Sequence, residues 1–156
     1  MLSLALPPAA VKNFMGQLLR ETQFDFFAVR NVELTLATHI SISGLLETEG
    51  EEAPGKKKYT SWGELRPLVY DLIKRATKPK LIKIVFSHPA PVDIHTNAAA
   101  LFLNMTYEGD RIIFTTATSQ QSFALEKTLD TAWDEWVQTF FINKNISVEN
   151  NLGDDV

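Results

Sequence analysis

VELTLATHISISG, residues 32–44, alternates almost without a break. Val32, Leu34, Leu36, Ile40 and Ile42 fall on one side, with Thr38 the single polar member of that set. Glu33, Thr35, Ala37, His39, Ser41 and Ser43 fall on the other. A period of two belongs to a β-strand, whose successive side chains point to opposite faces. The stretch predicts one long strand with an apolar side turned to a core. Its polar side suits water, a ligand or another protein. Antiparallel sheets can leave one face to solvent, so the segment predicts a sheet covered on one face only.

Outward from this strand, Leu2, Leu4 and Leu6 alternate and predict a short opening strand. Pro7-Pro8 then suits the first turn of a helix, because proline's fixed φ is already helical. Val11, Phe14, Met15, Leu18 and Leu19 recur at helical spacing. The dense apolar run FDFFAV, 24–29, predicts a further strand, with Arg30-Asn31 as the turn out of it. After residue 44, ETEGEEAPGKKK reads as an exposed loop. TSWGELRPLVYDLIKRA, 60–76, predicts a helix opened by a Ser61/Glu64 capping box, with Trp62, Leu65, Val69, Leu72, Ile73 and Ala76 on one face. Pro67 predicts a kink or restart within it. Strands follow at 80–88, 101–107 and 112–118, the last two joined by Glu108-Gly109-Asp110. Phe123–Leu125 is a candidate short strand. The final helix, 129–143, carries Leu129, Trp133, Trp136, Val137, Phe140 and Phe141, and the three tryptophans are read as core residues.

Bulk composition narrows the function classes. A chain of 156 residues with 45% apolar and 22% charged residues suits one soluble globular domain. The net charge of −4 gives no field drawing it to nucleic acid or membrane. The absence of cysteine removes thiolate chemistry and sulfur-bound metal. MLSLALPPAAV lacks a basic region and is cut short by proline, so no signal peptide is expected, and no apolar run is long enough to span a membrane. The expected location is cytoplasmic.

Candidate chemistry is sparse. Gly50 to Lys57 is one residue short of a phosphate-binding loop. Lys57 stands where a hydroxyl should follow the lysine, Pro54 removes an N–H, and Glu51 and Glu52 repel phosphate. The proline-containing loop 87–97 holds His88, Asp93 and His95, a remote candidate for metal or acid–base work set against an ordinary polar loop. His39, midway along the polar side of the opening strand, has an imidazole able to titrate near neutral pH. Thr115, Thr116, Thr118 and Ser119 add hydroxyls to a later strand. Residues 56–83 hold nine basic residues and two acids. Lys56, Lys57, Lys58, Lys74, Arg75, Lys78, Lys80 and Lys83 form the candidate stripe for phosphate or nucleic acid. No aromatic-plus-basic motif accompanies them, and nucleic acid is not the expected partner. No cofactor signature is present.

TSWGELRPLVYDLIK (60–74), LFLNMTYEGDRIIFTTATS (101–119) and FALEKTLDTAWDEWVQTFF (123–141), with VKNFMGQLL near the start, resemble a family of small uncharacterised bacterial proteins, a domain of unknown function. The resemblance spans most of the chain and implies no activity and no site residues.

The fold expected is α+β: a single largely antiparallel sheet of five to six strands with two to three helices packed on one face. Residues 1–145 are expected to form the domain and 146–156 an acidic, frayed tail. The expected function is a non-enzymatic binding or interaction module, self-associating through the open sheet face or an edge. The binding face is Glu33, Thr35, His39, Ser41 and Ser43. The alternatives are a small enzyme using His39 or the His88/Asp93/His95 loop, and a clamp-like accessory of nucleic acid using residues 56–83. No metal and no small-molecule ligand can be named.

Overall fold

The structure, a computed structural model, describes residues 1–47, 57–76 and 78–151. Among these described residues, seven strands form one antiparallel sheet. They are β1 (Ser3–Ala5), β2 (Ala28–Thr35), β3 (His39–Ser43), β4 (Leu81–Ser87), β5 (Ala98–Glu108), β6 (Arg111–Gln120) and β7 (Glu149–Asn150), arranged β3-β2-β4-β5-β6-β1-β7. The helices are α1 (Val11–Arg20), α2 (Trp62–Lys74) and α3 (Thr128–Asn143).

The alternating stretch is two strands rather than one. Thr35 pairs with His39, and Leu36–Thr38 turns the chain between them. Val32 then lies opposite Ile42 and Leu34 opposite Ile40, so the apolar side stays on one face through the turn. A three-residue loop preserves the parity of the pattern, which is why periodicity does not betray it. That extra strand, with β7 beyond residue 145, makes seven strands where five to six were expected. β7 pairs with β1, and Ile146 is buried.

FDFFAV is also not a strand over most of its length. Tight turns carry it, with Asp25 N–H donating to Thr22 O and Phe27 N–H to Phe24 O. Phe24 and Phe27 are both fully buried. Strand geometry begins at Ala28 and passes through a β-bulge between Val29 and Asn31. Arg30, expected in a turn, is the bulged residue. Residues 123–125 are loop, with Phe123 and Leu125 exposed.

All three helices cover the same face. Phe14 of α1 and Phe141 of α3 both meet Phe114 of β6, at 5.4 and 4.9 Å between ring centroids. Trp62 of α2 meets Phe86 of β4 at 5.5 Å. Trp62 also donates its indole N–H to Leu18 O at 3.0 Å, tying α2 to α1. Half of the expected capping box forms: Ser61 Oγ accepts from Glu64 N–H, while Glu64 Oε1 accepts from the Ser61 hydroxyl and not from its backbone N–H. Such a cap contributes about 1 kcal/mol. α2 continues through Pro67 as one helix, although proline gives Gly63 O no donor. At the β5–β6 turn, Gly109 and Asp110 both take positive φ, the conformation a two-residue hairpin loop requires.

Among the described residues the opposite face carries no helix. Rows in register across it include Ser43, Asn31, Val85, Asn104, Thr115 and Ser3, and then Ser41, Glu33, Lys83, Thr106, Ile113 and Ala5. No helix among the described residues is long and apolar enough to cross a membrane.

Candidate functional site

The two ends of the open face along β2 differ. At the β2–β3 turn, His39 joins Thr35 and Glu33, as their common face in the sequence suggests. Its Nδ1 lies 3.0 Å from Thr35 Oγ1 and its Nε2 3.4 Å from Glu33 Oε1. The order hydroxyl–imidazole–carboxylate mimics a catalytic relay. Here the hydroxyl is on a regular strand and the His39 and Glu33 side chains are 52% and 35% exposed, without the dry, preorganised surroundings that activate a nucleophile. Ser41 and Ser43 are exposed on the neighbouring edge strand.

The other end of β2 is built differently. The bulge turns Arg30 onto the open face. Its guanidinium carbon lies 4.0 Å from the Tyr59 ring centroid and 5.0 Å from that of Phe102. Nε donates to Ser87 Oγ at 3.3 Å and Nη1 to the Tyr59 hydroxyl at 3.2 Å. These hydrogen bonds are long ones, and they use two of the five N–H donors of an arginine. No carboxylate among the described residues lies within ion-pair distance of it. Ser87 is buried, which places its hydroxyl beneath the guanidinium rather than in water.

Tyr59 is delivered by the segment that leads into α2. Leu45 bridges to Tyr59 and Ala28 to Ser61, and Thr60 N–H donates to Gly44 O at 2.8 Å. Gly44 N–H in turn donates to Arg30 O at 3.0 Å, so glycine backbone and bulge interlock. A cleft of about 250 Å³ opens beside Arg30. Phe26, Ala28, Ala99, Pro89 and Pro91 supply its apolar lining, and Lys57, Lys58, Tyr59, Ser61, Ser87 and His88 its polar lining. The start of α2 lies close by at Ser61, but its first N–H groups are spent: Trp62 on Phe27 O, Gly63 on Asp25 O and Glu64 on Ser61 Oγ.

His88 follows β4 and closes one wall. Its ring meets Trp136 at 5.0 Å and Phe26 and Trp133 at 6.0 Å, nearly edge-on to each. Burial pushes its pKa below the ordinary histidine value, outweighing the Asp93 charge and the Ala90 hydrogen bond that act the other way. Ala90 N–H donates to Nδ1 at 3.0 Å. The neutral ring therefore carries its proton on Nε2, as a hydrogen-bond donor.

The remaining sequence candidates separate. His95 accepts from Asn97 N–H at Nδ1 and places Nε2 3.2 Å from Thr128 Oγ1. Both loop histidines thus spend Nδ1 on backbone. Asp93 belongs to the short 3-10 turn Pro91–Asp93. Among the described residues no group of three His, Cys, Asp or Glu side chains could hold a metal ion. His39 and His88 lie near opposite ends of β4's span, about 20 Å apart by strand rise. Part of the basic stripe is paired within the chain. Lys74 and Arg75 pair with Asp71, and Lys78 with Asp110. Hydrogen bonding to Lys74 lowers the Asp71 pKa, and Lys78 does the same for Asp110. Lys83 stands between Glu33 and Thr106 on the open face. Lys80 is exposed before β4, and Lys57 and Lys58 border the cleft. Lys56 and the rest of the Gly50–Lys57 motif up to it lie outside the described residues. Thr116 and Thr118 face α3 and donate to Asp134 and Asp130.

Sequence reasoning missed Arg30 and Tyr59. Their one local signal was an arginine inside an apolar segment with no acidic residue two positions away on the same side of the strand. Residues 17–149 match DUF5721, a family of unknown function, and the chain belongs to that family. No curated protein and no solved structure gives a significant match.

Proposed function

We propose that this member of a family without an assigned activity is a binding module for a small anion, held in the cleft beside Arg30. One observation carries the reading. A half-buried guanidinium is oriented by two hydroxyls and two rings, yet no carboxylate among the described residues neutralises it. Leaving a charge partly desolvated and unpaired costs stability, and a folded protein ordinarily supplies the partner. A bound anion recovers that cost through charge-assisted hydrogen bonds. Lys57 and Lys58 at the rim add attraction without a fixed geometry.

The polar end of the face around His39 draws less support, because Glu33, Thr35 and His39 satisfy one another in solvent. A binding role is favoured over catalysis because His39 and His88 are far apart and no carboxylate among the described residues is hydrogen-bonded to His88. Calorimetric titration of the full chain with acetate, benzoate and inorganic phosphate tests the proposal. At least one anion should bind, and Arg30→Gln should weaken that binding tenfold or more while the melting temperature stays within a few degrees. Equal affinity in the two proteins, or no binding to either, overturns it.

A further inference from the structure

We infer that the cleft takes a carboxylate borne on a flat apolar body, such as an aromatic or cyclic acid; the inference rests on the anion-binding reading above. Two halves of the lining support it. The first is the donor set. A planar guanidinium with three N–H groups that no described residue uses offers a two-pronged edge that matches the two oxygens of a carboxylate. The further fixed donors are the Tyr59 hydroxyl, which accepts from Arg30 and so keeps its own proton free, and Nε2–H of His88. A phosphate cradle is built instead from several backbone N–H groups at a helix start or a glycine-rich turn. Those of α2 are already taken.

The second half is the wall. Phe26 is 41% exposed, an unusual state for a ring in such company. It packs on Phe27 at 4.2 Å and is flanked by Trp136 at 5.9 Å and Phe140 at 5.8 Å. Rings on its inner side fix its position, so its exposed side is a rigid apolar surface that loses little entropy on contact. Pro89 and Pro91 add rigid apolar surface, while Ala28 and Ala99 leave depth. The rest of the lining is polar, so a flat body has a defined place to lie and the charged end a defined direction. A volume of about 250 Å³ suits a small metabolite rather than a nucleotide or peptide.

The test compares benzoate, acetate, benzamide and inorganic phosphate, titrated into the full chain and followed by amide chemical shifts. Benzoate should bind at least tenfold more tightly than acetate or phosphate, and neutral benzamide should lose at least tenfold against benzoate. Phe26→Leu should narrow the benzoate advantage over acetate to a few-fold while leaving acetate unchanged. The benzoate-to-acetate ratio in the parent reads the flat body without any substitution, and benzamide reads the charge. Tightest binding by phosphate, or a benzoate advantage that Phe26→Leu does not touch, overturns the ligand class but leaves the anion site standing. Failure of every anion removes both.

Discussion

Arg30 and Arg66 flank the segment that carries the chain from its early turns into β2, and they use one kind of side chain in opposite ways. Arg66, on α2, donates Nε to Asp25 Oδ1 at 2.8 Å and Nη2 to Oδ2 at 3.0 Å. Both side chains are about one-fifth exposed, at 19% and 24%. Its charge is met in full, and hydrogen bonding to Asp25 raises its pKa further. Gly63 N–H also donates to Asp25 O, so the pair clamps the turn onto the first turns of α2. Arg30 has hydroxyls and rings where Arg66 has a carboxylate. The contrast separates a cation that holds the fold from one that the fold holds ready.

Three substitutions break or sharpen that contrast. The largest effect belongs to Gly44, where an added Cβ would fall 1.7 Å from Val29 O, a backbone atom that cannot swing aside. Gly44→Ala should force the bulge apart and cost about 3 kcal/mol or more, read by urea unfolding, and should abolish anion binding with it. A variant of normal stability would show that the bulge is not what seats Arg30. Next comes Asp25→Ala, which converts Arg66 into a second arginine without a carboxylate. It should cost about 2 kcal/mol, since the pair is well formed but not wholly buried. Anion affinity in the folded fraction should stay within a few-fold. A tenfold loss of affinity would mean that clamp and cleft are one unit.

The smallest effect concerns acid. His88 has a folded-state pKa below its unfolded value, so on acidification the unfolded chain takes up the proton first. Its contribution to stability is complete above about pH 6.5 and is lost as the pH falls through the folded value. Melting temperature should therefore fall less steeply between about pH 7.5 and 5 in His88→Gln than in the parent. Parallel curves would place the imidazole in water rather than among the rings.

Much of the architecture was legible. The helical stripes, the Ser61/Glu64 cap and the Gly109-Asp110 turn rest on contacts between near neighbours in sequence, and the one-sided sheet shows in the period-two alternation of its strands. Phe24 and Phe27 misled because a dense apolar run looks the same whether it lies in a strand or in packed turns. Leu36–Thr38 misled because an odd-length turn keeps alternation in phase. The cleft was hidden for a different reason. Arg30, Tyr59, Ser87 and Phe26 come from separate segments, and no spacing rule joins residues that meet only through strand pairing and a bulge. His88 was singled out, but with Asp93 and His95, whereas its actual company is aromatic.

Trp133 and Trp136 lie 5.1 Å apart with their indole planes inclined by only 16°, and Phe140 continues the stack at 5.5 Å. Indoles so close and so nearly parallel couple their electronic transitions. The coupling should appear as a paired positive and negative band in the ultraviolet dichroism of the folded chain. Because His88 meets both rings and borders the cleft, a ligand bound as proposed should change that paired band, an optical reading of occupancy that needs no dye.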